Sequence, residues 1–391
     1  MRLHHDLHLA YCTNIHRGES WPETLDALEK HTLEVKRRVC PGGPYAIGLR
    51  LGAAAARDLQ DAGTRRDFQR WLDRHDCYVF TINGFPYGQF HGTRVKEQVY
   101  RPEWHRPERL DYTKALFEVL SDLLPPGVAG SVSTLPGSFK AFAVTPEEER
   151  RMRESLRECA GFIARLGDRR HQDLHLGLEP EPLCWLETST ETAAFLTSLG
   201  SGEDLRRCLG VNYDTCHLAV EYEEPAAALA RFREAGIRIS KFHLSSALKL
   251  QPSDDALRRL RDFSEDTYLH QTIIRGEDGS LTRYSDLQPA LDAVAQTPRL
   301  AGEEWRVHFH LPLHAPPELQ FADTRDHLCG VLDALAATPQ LCQHLEMETY
   351  TWGVLPGPLR SADVSDQLAR EYAWTLEELR IRHLSDHRIA G

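Results

Sequence analysis

Apolar residues along the chain recur with two periods that take turns. Short β-rich runs (LHLAYCTNIH, YAIGLRLG, YVFTINGFP, GSVSTLPG, LHLGLEPEP, LGVNYDTCH, ISKFHLSSAL and HLEMETYTW) are separated by longer segments of helical spacing. Among the latter are DYTKALFEVLSDLL, ETAAFLTSL, EEPAAALARFREAG and TRDHLCGVLDALAA. Helix starts are marked where Ser20 precedes Glu23 by three residues and where Thr145-Pro146 leads to Glu148, both patterns that satisfy free backbone N–H groups. Strands alternating with helices in this way predict an α/β fold, a (β/α)8 TIM barrel around a parallel sheet.

The rhythm breaks between about Leu248 and Ala315. There TYLHQTIIRGEDGSLTRYSDL and WRVHFHLPLH intervene before the last helix and strand. GEDG between two β-rich runs predicts a hairpin, so the insertion between strands 7 and 8 reads as a hairpin or lid on the barrel rim. WRVHFHLPL is the alternative barrel strand, which would displace one of the eight. Barrels with insertions reach 391 residues as one unit, so residues 1–391 are expected to form a single barrel domain with an insertion at about 248–315.

Composition narrows the function more than the fold. With 58 acidic against 46 basic residues the net charge is −12, which repels polyanions, and the arginine clusters TRRDFQRWLDR, EEERRMRES and RRLRDF are interleaved with acids as on solvated helix faces. No nucleic-acid partner is expected. The nine cysteines form no CxxC pair and total an odd number, against a disulfide framework or a zinc knuckle. MRLHHDLHLAYC lacks the features of a signal peptide and no apolar run approaches membrane-spanning length. A cytoplasmic protein with reduced thiols and no membrane insertion is the expectation.

Polar residues gather where the strands end. Apolar stretches run into Asn14 and His16, Asn83, Glu179 and Glu181, Asp214 and His217, His243, and Glu346 and Glu348. In a barrel these ends face the functional rim. A lone histidine or carboxylate there is most simply a hydrogen-bonded core residue or a helix cap. Repetition on separate strands points instead to convergence on one divalent ion (Mn²⁺, Mg²⁺, Co²⁺, Fe²⁺ or Zn²⁺), because buried carboxylates without a partner are costly. The expected metal ligands are Glu179, Asp214, His243 and Glu346. Glu181 and Glu348 compete with their neighbours, since a spacing of two points both members of each pair to the same side of a strand.

The order Glu, Asp-x-x-His, His, Glu, carried by LGLEPEP, NYDTCH, KFHL and LEMETYTW, resembles the xylose-isomerase-like superfamily of sugar epimerases and endonuclease IV. The longer phrases TINGFPYGQFHG, VKEQVYRPEW, SVSTLPGSFK, HLSSALK and ETYTWGVLP resemble the metabolite traffic protein E family of ebo-type bacterial operons. That resemblance implies an isomerase- or epimerase-like barrel acting on a small sugar- or cyclitol-like metabolite, in association with other proteins of its operon. By comparison with ketose 3-epimerases it implies Glu179 and Glu346 as the proton-exchanging pair and His217 as a substrate contact. Trp185 and Lys249 stand where those enzymes carry a glutamate and an arginine, which argues against a plain free ketohexose. Asn83, Lys249 and His310 complete the expected substrate-binding set, with Lys249 suited to a carboxylate or phosphate and His91 open. Asp214 and His217 could contribute to a second metal site. Endonuclease chemistry is disfavoured because Arg50 and Asn83 occupy the places of metal-binding histidines. The rivals to isomerisation are metal-dependent hydrolysis or lyase chemistry and a non-catalytic metabolite-binding role.

Overall fold

The computed structural model describes the chain apart from Pro316, Glu318, Leu319 and residues 358–362 and 390–391. β1 (His8–Tyr11), β2 (Tyr45–Arg50), β3 (Cys77–Asn83), β4 (Gly130–Thr134), β5 (Leu174–Leu178), β6 (Leu209–Asp214) and β7 (Arg238–Leu244) lie in a parallel sheet. Five further strands, β8 (Leu248–Leu250), β9 (Thr272–Arg275), β10 (Leu281–Tyr284), β11 (Glu304–Val307) and β12 (Phe321–Asp323), make a separate antiparallel sheet. β13 (His344–Met347) then enters the parallel sheet between β7 and β1. A parallel bridge from Cys12 to Gly48 brings β1 against β2 and nearly closes the ring, so the eight strands form a (β/α)8 barrel.

The eight β-rich runs each supply one barrel strand, because strands covered on both faces are apolar throughout and helices follow them. The helix starts obey local chemistry. Glu23 accepts from the Ser20 N–H at 3.0 Å, and Glu148 accepts from the Thr145 N–H at 2.9 Å, closing both capping boxes. The nine cysteines are all free thiols, and no helix among the described residues is long and apolar enough to cross a membrane.

Trp305–Val307 belongs to the antiparallel sheet rather than the barrel, and the strands of that sheet continue past Ala315 to Asp323. β9 and β10 are paired hairpin strands, joined through residues 276–280. One face of the sheet, through Leu248, Leu250, Ile274, Trp305 and Val307, packs into its own apolar core. On the other, Ile273 meets Cys216 and Val220 of the helix that follows β6. Arg283 of β10 ties the hairpin to the barrel, reaching Glu187 at 3.1 Å and Glu221 at 2.5 Å.

The barrel interior is polar in layers, because inward residues on a strand alternate and each step of two climbs roughly 6.6 Å. Lowest lie His8, Phe80, His175 and His344, with His175 and His344 stacked at 5.3 Å and Phe80 edge-on to His344 at 4.9 Å. His344 Nδ1 is satisfied by Ser131 Oγ at 2.8 Å. Above come Ser133, Lys241 and Glu346, all buried, and the strand ends lie above these.

The helix Val364–Ile381 braces the rim from outside. Its buried Glu371 accepts from the Leu313 N–H at 3.0 Å and the Thr349 hydroxyl at 2.8 Å, while Oε2 has no partner among the described residues. Burial pushes this carboxyl up to about 7 despite those two bonds. Its folded-state pKa therefore lies above the unfolded value. The resulting penalty is absent below about pH 4.5, grows as pH rises, and levels off above about 7 at roughly 3 kcal/mol. Glu371→Gln, which keeps the accepting oxygen, should raise thermal stability at pH 8 and converge on the parent protein by pH 4.5. A gain independent of pH in melting curves would contradict this.

Candidate active site

β13 carries inward groups at three heights: His344 at the base, Glu346 in the middle and, just beyond the strand, Glu348 at the mouth. His243 on β7 is in register with Glu346 on one side and with Asp214 on the other. Its ring stands between layers. Nε2 lies 2.8 Å from Glu346 Oε2, and Nδ1 faces the mouth. Around Nδ1 gather Glu179 Oε1 at 3.0 Å, Glu348 Oε2 at 3.0 Å and Asp214 Oδ2 at 3.5 Å.

One imidazole nitrogen carries at most one hydrogen, and it cannot satisfy three carboxylate oxygens. Asp214 Oδ2 is left without a hydrogen-bond partner among the described residues, in a fully buried position. Glu346 accepts the Nε2 hydrogen, so in the neutral ring Nδ1 presents its lone pair to the three acids. Glu179, Asp214, His243 and Glu348 each offer one atom within 4.8 Å of the others. An oxygen-rich set with one nitrogen, an excess of negative charge and an orphaned buried oxygen fits a divalent cation.

The remaining atoms of these acids are held by neutral donors. Glu348 Oε1 accepts from Asn14 at 2.7 Å and Asn83 at 3.0 Å; Glu179 Oε2 accepts from Asn212 at 2.6 Å. Asp214 Oδ1 accepts from the N–H groups of Cys216 and His217 and from the Ser245 hydroxyl. Burial disfavours the charged form of Asp214, but His217 and His243 outweigh it and hold the carboxyl well below its usual range. Burial likewise opposes charge on His243, yet Glu348 and Glu179 raise its pKa well above the ordinary histidine value.

Glu346, expected as a ligand and proton-exchanging group, sits one layer too low. Its Oε2 takes Lys241 Nζ at 2.5 Å and its Oε1, packed against Gly48, has no hydrogen-bond partner among the described residues. A Cβ at Gly48 would lie 2.1 Å from that oxygen, so only glycine fits opposite Glu346. Burial pushes the carboxyl up, but the charge of Lys241 and the hydrogen bond from His243 bring it down to about 2. The place at the mouth expected for Glu346 is taken by Glu348, because residues two apart share a side but not a height.

Asn83, His217 and Glu181 line the cavity at the mouth with Glu179 and Glu348, beneath a wall that includes Phe85, Phe90, Tyr268 and Tyr350. Burial pushes Glu181 up to about 7, with His217 and the Tyr100 hydroxyl pulling the other way. His310 lies behind His308, its Nδ1 on the Glu348 carbonyl at 2.8 Å. Lys249 is elsewhere: on β8 it points away from the apolar face of Leu248 and Leu250, and its ammonium pairs with Asp326 at 2.9 Å. His91 is held between the Asn14 carbonyl and the Tyr268 hydroxyl, and Arg50 by Glu19 and the Gly18 and Gly88 carbonyls. Lys241 and Asn212 escaped sequence reasoning, though each stands two residues before a candidate ligand on the same strand.

The xylose isomerase-like TIM barrel family matches residues 46–276, more than half of the chain, and the protein belongs to that family. Among solved structures, an L-ribulose 3-epimerase superposes with a TM-score of 0.53 at 13% identity, covering 98% of this chain and 96% of that one. A D-tagatose 3-epimerase-like protein gives 0.52 at 12% identity, over 96% and 98%. Such identities show the shared fold. No curated protein matches the chain by sequence.

The Lys241–Glu346 pair is testable without a substrate. Removing one partner of a buried ion pair strands a charge, so Lys241→Met should lower stability by about 3–5 kcal/mol. Adding Glu346→Gln should recover much of that loss in urea unfolding. Fully additive losses would contradict the pairing.

Proposed function

We propose that the protein is a divalent-metal-dependent isomerase or epimerase of a polyhydroxylated, sugar- or cyclitol-like metabolite. The carrying observation is the convergence of Glu179, Asp214 and Glu348 on His243 Nδ1 at the floor of an accessible cavity. In this reading the four hold one metal ion, with Glu348 replacing Glu346 as the ligand of the last strand. When bound, the ion supplies Lewis-acid stabilisation of negative charge developing on a substrate oxygen.

The chain's own groups divide the remaining work. Glu179 and Glu348 are the catalytic residues: one takes the proton from carbon next to the carbonyl and the other returns one. Asn212 orients the first and Asn14 with Asn83 the second, each leaving the other carboxylate oxygen toward the mouth. Asn83 and His217, already at the cavity wall, are the substrate contacts. Glu346 and Lys241 position His243 from below. The aromatic wall and the antiparallel sheet above the rim act as a lid that excludes water, within one barrel domain spanning residues 1–391. In this reading the chemistry belongs to a cytoplasmic bacterial biosynthetic route, alongside other products of its operon, as the resemblance of TINGFPYGQFHG and ETYTWGVLP to the metabolite traffic protein E family suggests.

The test is proton exchange. Metal-loaded protein given polyhydroxylated ketones in deuterated water should place deuterium next to the carbonyl. Glu179→Gln and Glu348→Gln should each reduce exchange by about 10³-fold or more, in the upper part of the usual share of one acid–base group because each also serves the ion. Glu346→Gln should keep exchange at saturating metal while weakening metal affinity about 10–100-fold. Full exchange in Glu348→Gln, with loss confined to Glu346→Gln, would overturn the assignment. Tight ligand binding without any exchange would support the carrier role instead.

A further inference from the structure

The cavity above the carboxylate cluster is divided by chemistry. Its floor is polar, with Asn14, Asn83, Glu179, Glu181 and Glu348, whereas Phe85, Phe90, Val95, Val99, Tyr268 and Tyr350 supply an apolar wall. Within that wall the rings of Phe90, Tyr268 and Tyr350 meet in pairs, Phe90 to Tyr268 at 5.4 Å, Phe90 to Tyr350 at 5.2 Å and Tyr268 to Tyr350 at 5.1 Å between centroids. Polar tips nearby are already engaged. The Tyr268 hydroxyl lies 2.7 Å from His91 Nδ1, and the Tyr100 hydroxyl donates to Glu181 at 2.6 Å. A ligand beside Tyr268 therefore meets ring carbon.

Charge in the cavity is one-sided. Lys96 is the one lysine or arginine among the described residues of its wall, and its ammonium is spent elsewhere, donating to Asp286 Oδ2 at 2.6 Å and to the Glu265 carbonyl at 2.8 Å. What Lys96 offers the cavity is its methylene stem. Three carboxylates around one doubly charged ion leave a negative charge on the floor, and Glu181 adds a further carboxyl beside them. A phosphate or carboxylate on the substrate would enter this field with no free ammonium or guanidinium to offset it. A hydroxyl held against the wall would lose its water and gain no partner in exchange.

We infer that the ligand of this site is uncharged and two-ended: a polyhydroxylated head on the floor, joined to an apolar or aromatic substituent that lies against Phe90, Tyr268 and Tyr350. The identity of the head rests on the isomerase or epimerase reading above, whereas the tail site stands on the wall itself. Apolar surface enclosed in a pocket gains most from an apolar ligand group, with the few polar groups fixing its orientation. The tail site is assembled from three segments, since Phe90 lies in the loop after β3, Tyr268 in the insertion before β9 and Tyr350 just beyond β13. Selection follows from the two halves. A sugar phosphate is rejected by charge, and a free ketohexose satisfies the floor but leaves the wall uncovered.

Calorimetric titration of the metal-loaded full-length protein with four ligands gives the test: D-fructose, its hexyl and phenyl ethers at the terminal hydroxyl, and the sugar phosphorylated at that same position. Each is then incubated with the protein in deuterated water. At least one ether should bind about tenfold or more tighter than D-fructose, and the phosphate should bind more weakly than D-fructose. The better ether shows whether the wall takes an alkyl or an aryl group. Phe90→Ala and Tyr268→Ala should each remove most of the ether's advantage. Circular dichroism checks folding, and the ranking of ligands on the unaltered protein stands even if a variant fails to fold. Equal binding of D-fructose and its ethers, or tighter binding of the phosphate, would overturn the two-ended ligand, while deuterium placed in D-fructose would keep the reaction class. An ether that binds preferentially yet gains no deuterium would keep the two-ended ligand and defeat the isomerase reading. An advantage that survives both alanine changes, or no binding of any of the four, would overturn the inference.

Discussion

His243 Nδ1, with carboxylate oxygens of Glu179, Asp214 and Glu348 around it, is the point on which the rest of the interior is arranged. Like charges this close in a buried place repel strongly, and folding around them is tolerable only with a positive charge at their centre. Everything nearby lessens that repulsion or fixes its geometry. Asparagines occupy one oxygen each of Glu179 and Glu348, and backbone N–H groups hold Asp214 Oδ1. Below, the ammonium of Lys241 neutralises Glu346, which in turn keeps the hydrogen of His243 on Nε2.

The layers explain why the barrel is polar to its base. A strand that must end in Glu348 brings its inward positions Glu346 and His344 with it, and each needs its own partner. Lys241 answers Glu346, Ser131 answers His344, and Gly48 leaves the room that Glu346 requires. The inserted segment contributes Tyr268 and His308 to the cavity wall. Its contribution to the site is chemical as well as steric, because the chain leaving β11 delivers His308 and His310 to the edge of the acidic cluster.

Much of this was legible in the sequence. The eight strands could be read because a parallel barrel strand is apolar until it meets the rim, and Asp214 and His243 stood out as single polar residues at such ends. Height was not legible. A period of two tells that Glu346 and Glu348 share a face, but it does not say which is level with Asp214, since that depends on barrel stagger and on register with β7. Lys249 misled for the related reason that a lysine on a short inserted strand has two faces to choose from, and the apolar packing of Leu248 and Leu250 turned it toward Asp326. Lys241 could have been found: a lysine inside an apolar strand, two residues before a candidate ligand, needs a buried anion.

Anomalous diffraction from crystals grown with Mn²⁺ or Zn²⁺ tests the central claim most directly. The expected result is a peak bonded to His243 Nδ1, Glu179, Asp214 and Glu348, with Glu346 still on Lys241. A peak bonded through His243 Nε2 or Glu346, or crystals whose acids close on one another around no ion at all, would contradict it.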